Sequence, residues 1–362
     1  MKFGFVVHPL TAFQRRLLGV RGLNGPLAIG RPALVSEAIP YTIAALDIRD
    51  VHGGRSLGQL VSVPFTPEEL LSDQEGGVRA VLGAVARCHA WGAEVVGLGA
   101  VAAVIGGQGK AVAAEAPCAV TTGNGFTAWA AVQTLDLWRR TSGESPPVAL
   151  LGAPSPVATS ILRQLAARGE AVEVVAQTPP KPLRALVETL ASRGYAHLRF
   201  IDDPLEALRQ GHVLVAASST GARLKLSALP RGSVVIDVAA PLDVQDDARR
   251  PDVLWLDGEY VRLPTELGGG LWHRVYGLVT GHSRHAFACF AEPMLLALAG
   301  RPELANVGRE VAIERTDALA ELAHAHGFWV DRLYERGRPL RAERWRAWRR
   351  AAGLTSRPWP DE

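Results

Sequence analysis

The chain has 362 residues, 48% hydrophobic and 21% charged. That is a globular composition, which excludes disorder over its bulk and allows about two domains at roughly 150 residues each. Three cysteines, Cys88, Cys118 and Cys289, exclude a disulfide scaffold, and their odd number points to a reducing, cytoplasmic setting. A net charge of +3 is too balanced to predict nucleic-acid binding. It is also uneven: eight arginines from Arg332 to Arg350, against Glu335 and Glu343, put +6 there and leave the remainder at −3.

The start, MKFGFVVHPLT, is a strand-like run without a signal-peptide cleavage pattern. A helix is predicted over Pro67–Ala90 from Leu70, Leu71, Val78, Val81, Leu82 and Val85. Strands follow at Glu94–Leu98 and Ala119–Thr122. The turn Gly123-Asn124-Gly125 then leads into a helix over Phe126–Arg140. The stretch Val95–Gly109 is too short and too rich in glycine to span a membrane. Ser142–Pro147 has linker composition.

Beyond it, strands at Val148–Leu151, Val172–Ala176, Leu198–Ile201, Val213–Ala217, Val234–Asp237 and Val253–Leu256 alternate with helices at Leu183–Arg193 and Pro204–Arg209. Repeated β-α-β predicts a Rossmann-like, doubly wound parallel sheet. The remainder reads as helical: His282–Leu298, Pro302–His326 and an Arg-rich amphipathic tail. The predicted fold is therefore α/β. A smaller α/β substrate domain at 1–145 precedes a dinucleotide-binding domain at 146–265, and a helical segment at 266–362 carries Cys289.

The strand–turn–helix after Val148 places Gly152-x-x-Ser155-x-x-Ala158 where a dinucleotide fold puts its phosphate loop at a helix N-terminus. Only the first glycine is present. Ala158 still permits close helix packing, the Ser155 hydroxyl is a candidate phosphate donor, and Pro154 and Pro156 remove two N–H groups. The alternative is a doubly wound domain that holds no cofactor. At the end of the next strand Gln177 stands where a carboxylate would select NADH. Lys181 and Arg184 just beyond lean the choice to NADPH. Asp237 ends a later strand at the sheet's carboxyl edge, where ligands bind.

On a helix, His285, Cys289 and Glu292 fall at i, i+4 and i+7 on one face. A thiolate is a strong nucleophile that a neighbouring imidazole favours, although a cysteine in an apolar helix is often simply packed. No fourth ligand accompanies the three, so no metal site is expected. His8 is a candidate acid–base group or a turn cap. Asn124 and Thr127 either cap their helix or touch a cofactor. The tail is read as a solvated helix with Trp345 and Trp348 packed back, or as a docking surface for an acidic protein or an anionic membrane.

These residues carry a family likeness. Phe287-Ala-Cys289-Phe-Ala-Glu292 followed by Met294-Leu-Leu resembles the long-chain fatty acyl-[acyl-carrier-protein] reductases of the aldehyde-forming, cyanobacterial type. Thr121-Thr-Gly-Asn124-x-x-Thr127-Ala128, Gly92, Leu98-Gly99, His8 with Thr11, Ile236-Asp237 with Pro241, and His326-Gly-Phe328 extend the likeness from about residue 3 to 328. The resemblance implies transfer of an acyl group from a carrier-protein or coenzyme A thioester to Cys289, then reduction by NADPH or NADH to an aldehyde. The sequence departs from that pattern at Ser155 and Ala158 in the loop and at Gln177, where the family has an arginine. It departs again at Pro241-Leu242-Asp243, and at Ala102-Ala103, where the family has two hydroxyls. Two other readings stay open: another NAD(P)-dependent dehydrogenase on the same plan, and an acyl- or carrier-binding protein without catalysis.

Overall fold

The computed structural model describes residues 1–9, 39–194, 197–221, 223–268 and 284–354. Thr11, the start of the helix predicted at His282 and the end of the tail lie outside these residues. The chain forms two units that interleave along the sequence. Unit 1 takes Met1–Phe126, Val261–Val311 and Asp317–Trp329; unit 2 takes Thr127–Tyr260, Ala312–Thr316 and Val330–Glu362. The sequential partition at 145 and 265 differs from this. The stretch from 266 onward is not a body of its own: Cys289 belongs to unit 1 and the Arg-rich tail to unit 2.

In unit 1, β1 (Lys2–Val7), β2 (Tyr41–Arg49) and β3 (Arg55–Ser62) are followed by helices α1 (Pro67–Ser72) and α2 (Gln74–Ala90). Then come β4 (Ala93–Leu98), α3 (Lys110–Glu115) and β5 (Ala119–Thr121). The sheet order is β2-β3-β1-β4-β5, parallel except for the β2–β3 hairpin. That hairpin was not predicted. Its tight connection is closed by Asp50, whose Oδ1 accepts from the N–H groups of His52 and Gly54 at 2.9 and 2.6 Å.

The single helix predicted over Pro67–Ala90 is split at Asp73. Thr66 and Glu69 form a capping box on α1, and the Asp73 side chain accepts from the Gly76 N–H at 2.8 Å to start α2. A second polar cap inside an apolar pattern restarts the helix there. Helix α2 buries Val81, Ala84, Val85 and Cys88 against the sheet. A Cβ on Gly4 would lie 2.6 Å from the Cys88 Sγ. Cys88 is thus a packing residue, and burial pushes its thiol up to about 12; burial likewise pushes Cys118 up to about 11.

Helix α4 (Asn124–Ser142) carries the chain into unit 2. There β6 (Val148–Leu151), α5 (Pro156–Ala167), β7 (Val172–Val175), α6 (Lys181–Ser192) and β8 (Leu198–Ile201) build one side of a sheet. Helix α7 (Pro204–Arg209) and strands β9 (Val213–Ala216), β10 (Val234–Asp237) and β11 (Leu254–Asp257) build the other. The parallel strands run β8-β7-β6-β9-β10-β11, the doubly wound order whose direction reverses between β6 and β9. All four residues of β6, β7, β9, β10 and β11 are buried, as covered parallel strands require.

The chain then returns to unit 1 as β12 (His285–Phe287) and α8 (Ala288–Ala299), and continues through α9 (Ile313–His326). The predicted helix over Pro302–His326 is shorter than expected, since Pro302–Leu304 forms only a single 3₁₀ turn. The tail is not simply helical. Strands β13 (Tyr334–Glu335) and β14 (Arg338–Pro339) extend the unit 2 sheet before α10 (Ala342–Ala352), and Asp257 pairs antiparallel with Tyr334. Trp345 and Trp348 are fully buried in the same core as Leu150 and Ile161. Among the described residues no helix is long and apolar enough to cross a membrane.

Candidate active site

Helix α8 lies on the unit 1 sheet. Phe290 meets Phe5 with ring centroids 4.7 Å apart, and a Cβ on Gly97 would come within 2.7 Å of the Pro293 ring. Cys289 is the second residue of this twelve-residue helix, half-buried, and the N-cap residue Phe287 supplies no side-chain cap. A helix N-terminus presents unpaired N–H groups and a partial positive charge, so a thiolate there is favoured over the thiol. Pro293 has no N–H to give the Cys289 carbonyl four residues back, which loosens the first turn where the thiol sits.

The turn before α4 presses on this point. Gly123 has φ +73°, and a Cβ on it would lie 2.4 Å from the Cys289 Cα and 2.6 Å from its Cβ. Glu292, 0% exposed, fastens the two segments together. One carboxylate oxygen accepts from the Thr121 hydroxyl, and the other accepts from the Phe126 N–H at 3.0 Å. Glu292 thus caps α4 from another helix and is a positioning residue. Asn306 completes the clasp. Its carbonyl accepts from the Thr122 N–H at 2.9 Å, and its N–H donates to the Thr121 hydroxyl at 3.2 Å. Nothing in the local sequence around Asn306 announces this, because its partners are 184 and 185 residues away.

Two expectations about this region are corrected. His285 is in a strand, with β12 ending at Phe287, so it does not share a helix face with Cys289 and Glu292. Phe287 ends β12 and is the N-cap of α8, so the helix starts after His285, which removes the i, i+4 relation. His8, proposed for acid–base work, is buried at the end of β1. Its Nε2 accepts the Val101 N–H at 3.1 Å and its Nδ1 faces the Pro9 carbonyl at 3.3 Å. Burial holds its pKa below the ordinary histidine value, so it is a neutral brace. The His326-Gly-Phe328 block is also structural: His326 Nδ1 meets Asp50 at 2.8 Å, and Phe328 packs edge-on to Phe126.

Unit 2 carries the predicted cofactor residues except Asn124, which belongs to unit 1. Gly152, at φ +109°, ends β6 at the reversal point of the sheet. A Cβ there would lie 2.4 Å from the Ser218 nitrogen, so the glycine lets the β6 and β9 loops touch. The Ser155 hydroxyl is not available as a phosphate donor. It accepts from the Ala158 N–H at 3.2 Å as the cap of α5 and donates to the Ala217 carbonyl at 2.6 Å. Ala158 is fully buried. Gln177 is exposed just past β7, next to the exposed Lys181 and Arg184. Thr127 is buried in the first turn of α4.

Asp237, 0% exposed, accepts from the N–H groups of Ala239 and Val244, each at 3.0 Å. It therefore shapes the loop after β10, and its carboxylate is spoken for. The loop's next acid, Asp243, takes both the N–H and the hydroxyl of Ser218. Asp237 and Asp257 are register neighbours on β10 and β11, with Glu259 two residues further on. Burial pushes Asp237 up to about 6. Burial, then the charges of Asp257 and Asp237, push Glu259 up to about 8.

Both folded-state values lie above the ordinary carboxylate range. The stability these groups contribute is therefore complete below the unfolded values near pH 4, and is lost as pH rises through about 6 for Asp237 and about 8 for Glu259. Glu259→Gln is expected to match the wild type near pH 4 and to exceed it by on the order of 2 kcal/mol near pH 9. Urea unfolding at the two pH values measures this.

No family model matches the chain. Over 357 residues it is 29% identical to the aminotransferase PigE of Serratia sp. (strain ATCC 39006), a match covering 95% of this chain and 41% of that protein. The chain therefore spans less than half the length of that curated relative. Among solved structures it is similar to L-tryptophan dehydrogenase from Nostoc punctiforme, at 11% identity and TM-score 0.36, over 98% of this chain and 86% of that one. It is also similar to an NAD-dependent malic enzyme from Thermotoga maritima, at 12% identity and TM-score 0.38, over 90% of this chain and 83% of that one.

Proposed function

We propose that this chain reduces a fatty acyl thioester, carried on acyl carrier protein or coenzyme A, to an aldehyde with NADPH or NADH through an acyl group on Cys289, as in the reductases it resembles. The observation that carries the reading is the placement of Cys289 at the uncapped N-terminus of α8, half-buried against Gly123. The thiolate attacks the thioester carbonyl, and the carrier thiol leaves with a proton. The acyl group is then held as a thioester on Cys289. Addition of a hydride and one proton cleaves this bond, giving the aldehyde and restoring the thiol, with the thiolate as a good leaving group.

A nicotinamide dinucleotide supplies the hydride when bound. The residues of unit 2 fit such a group at the reversal point of a doubly wound sheet. The twelve-residue α5 points its N-terminus there, and Gly152 and Ala158 give the close packing that the loop requires. With Ser155 committed to its cap, pyrophosphate binding falls to backbone N–H groups and the helix dipole. Gln177, Lys181 and Arg184 would lie beside the ribose.

Intact mass spectrometry after incubation with acyl-coenzyme A and with acylated carrier protein tests the proposal. One acyl mass on the Cys289 peptide, discharged by NADPH or NADH with an equivalent of aldehyde, is expected. Absence of an adduct, or an adduct elsewhere, overturns it.

The name of the curated relative belongs to a protein more than twice as long as the matched stretch. Aminotransferases hold pyridoxal phosphate through a lysine Schiff base. The chain has four lysines: Lys2 is bonded to the Trp91 carbonyl, and Lys110, Lys181 and Lys225 are exposed. That chemistry therefore has no enclosed lysine to use here.

The carrier's docking face is proposed on the tail. Several of its arginines are neutralised within unit 2: Arg336 by Asp246, Arg344 by Glu335 and Arg349 by Glu144. Arg338 and Arg341 remain exposed in a groove with Pro339 and Leu340. Arg338→Glu with Arg341→Glu is expected to raise KM for an acylated carrier protein several-fold at low salt and to leave a neutral N-acetylcysteamine thioester unaffected. Equal KM values for the carrier before and after would sink the docking idea.

A further inference from the structure

The clasp formed by Glu292, the Gly123 turn and Asn306 holds two side-chain amides with nothing to bind. The Nδ2 atoms of Asn124 and Asn306 are both buried and have no hydrogen-bond partner. A buried amide left unpaired costs about 1–3 kcal/mol, so two in one clasp call for an explanation. Both adjoin Gly123, the residue that meets Cys289. Asn124 directly follows Gly123, whose Cα packs on the Cys289 backbone. Asn306, 8% exposed, is stitched through its own backbone to Thr121 and Thr122 on the other side of that glycine. Glu292, one helical turn beyond Cys289, ties the same segment to α8 through Thr121 and Phe126.

We infer that the side-chain amides of Asn124 and Asn306 are the hydrogen-bond donors for the acyl oxygen at Cys289. This rests on the acyl-cysteine reading and deepens it. Negative charge develops on that oxygen twice, when the thiolate adds to the incoming thioester and again when hydride adds to acyl-Cys289. Each time the C–O double bond becomes a C–O⁻ single bond and then re-forms. Preorganised donors in a water-poor site are the usual stabilisers of such an oxyanion, and removing one costs about 10²- to 10³-fold in rate. An amide NH2 suits the task because it donates without bringing a charge of its own. Asn124 was expected at a cofactor or as a cap; on this inference its unpaired Nδ2 serves the acyl oxygen.

The test compares Asn124→Ala and Asn306→Ala with the wild type in two reactions on Cys289, both followed by mass spectrometry of its peptide. Acylation by an acyl-coenzyme A thioester passes through the oxyanion; alkylation by iodoacetamide does not. Cys88 and Cys118, pushed up to about 12 and about 11, react slowly near neutral pH, so alkylation reports Cys289. Each variant is expected to acylate at least about 10²-fold more slowly while alkylating at the wild-type rate, which also shows that the turn has folded. Glu292→Gln is expected to slow acylation and to shift the alkylation rate as well, since it moves the whole clasp. A wild-type acylation rate in either alanine variant overturns the two-amide assignment and leaves the acyl-cysteine reading standing. A wild-type protein that takes no acyl group overturns both.

Discussion

Cys289→Ser is expected to lower aldehyde formation by at least about 10³-fold and to abolish the acyl adduct. The chemistry asks for a group that ionises near neutral pH, attacks a thioester and then leaves from the reduced centre. A serine at the second position of α8 keeps the packing against Gly123 but ionises far above any working pH, and an oxygen ester is a poorer hydride acceptor than a thioester. The helix N-terminus favours a thiolate by about 1 kcal/mol, too little to bring an alcohol into range. Cys118→Ser is the matched control and is expected to keep full activity. An active Cys289→Ser variant would remove the covalent route, and dinucleotide-dependent activity that persisted in it would then point to another dehydrogenase reaction in unit 2.

Gly123→Ala is expected to lower stability by about 3 kcal/mol and to remove acylation with it. Two effects add. The left-handed backbone costs an L-residue about 1–2 kcal/mol, and the new methyl would lie 2.4 Å from the Cys289 Cα. That contact is with backbone, so no rotamer change relieves it, and such overpacking costs about 1–3 kcal/mol. Gly107 separates the two. It is in the same unit at φ +70° with nothing within 4 Å of its added Cβ, so Gly107→Ala carries the backbone penalty alone. Urea unfolding of both variants measures the difference. Equal losses would mean that the Gly123 turn does not press on Cys289.

The doubly wound sheet was legible because its strands are short, largely apolar and separated by helices with marked caps. Ser155 with Pro156 announces the start of α5 and Asp203 with Pro204 that of α7. The β2–β3 hairpin was missed because Ala44, Ala45, Asp47 and Arg49 dilute its alternation. The helix proposed through His285 was wrong for a related reason: three apolar or aromatic residues after it fit either period, and the strand ends only where Phe287 turns into α8. Cys289 and Glu292 were found from their block, but the role of Glu292 was not. A carboxylate three residues from a thiol reads as a proton carrier, and only its bonds to Thr121 and Phe126 show it to be a fastener. Asn306 had no local signal at all, since its partners come from a distant stretch of chain.

The two units share the chain in alternation, and this has a bearing on how the protein is made. Strand β1 and α8, which lies on its sheet, are separated by nearly 300 residues of chain, so β1 is synthesised long before the helix that covers it. Unit 2 in turn gains β13, β14 and α10 only after Trp329. Nascent chains therefore carry an uncovered apolar face on unit 1 throughout synthesis of the doubly wound sheet, the condition in which partly formed domains aggregate. Cys289, the nucleophile proposed above, arrives with the helix that covers that face, and because the units interleave, no single cut within this sequence separates them.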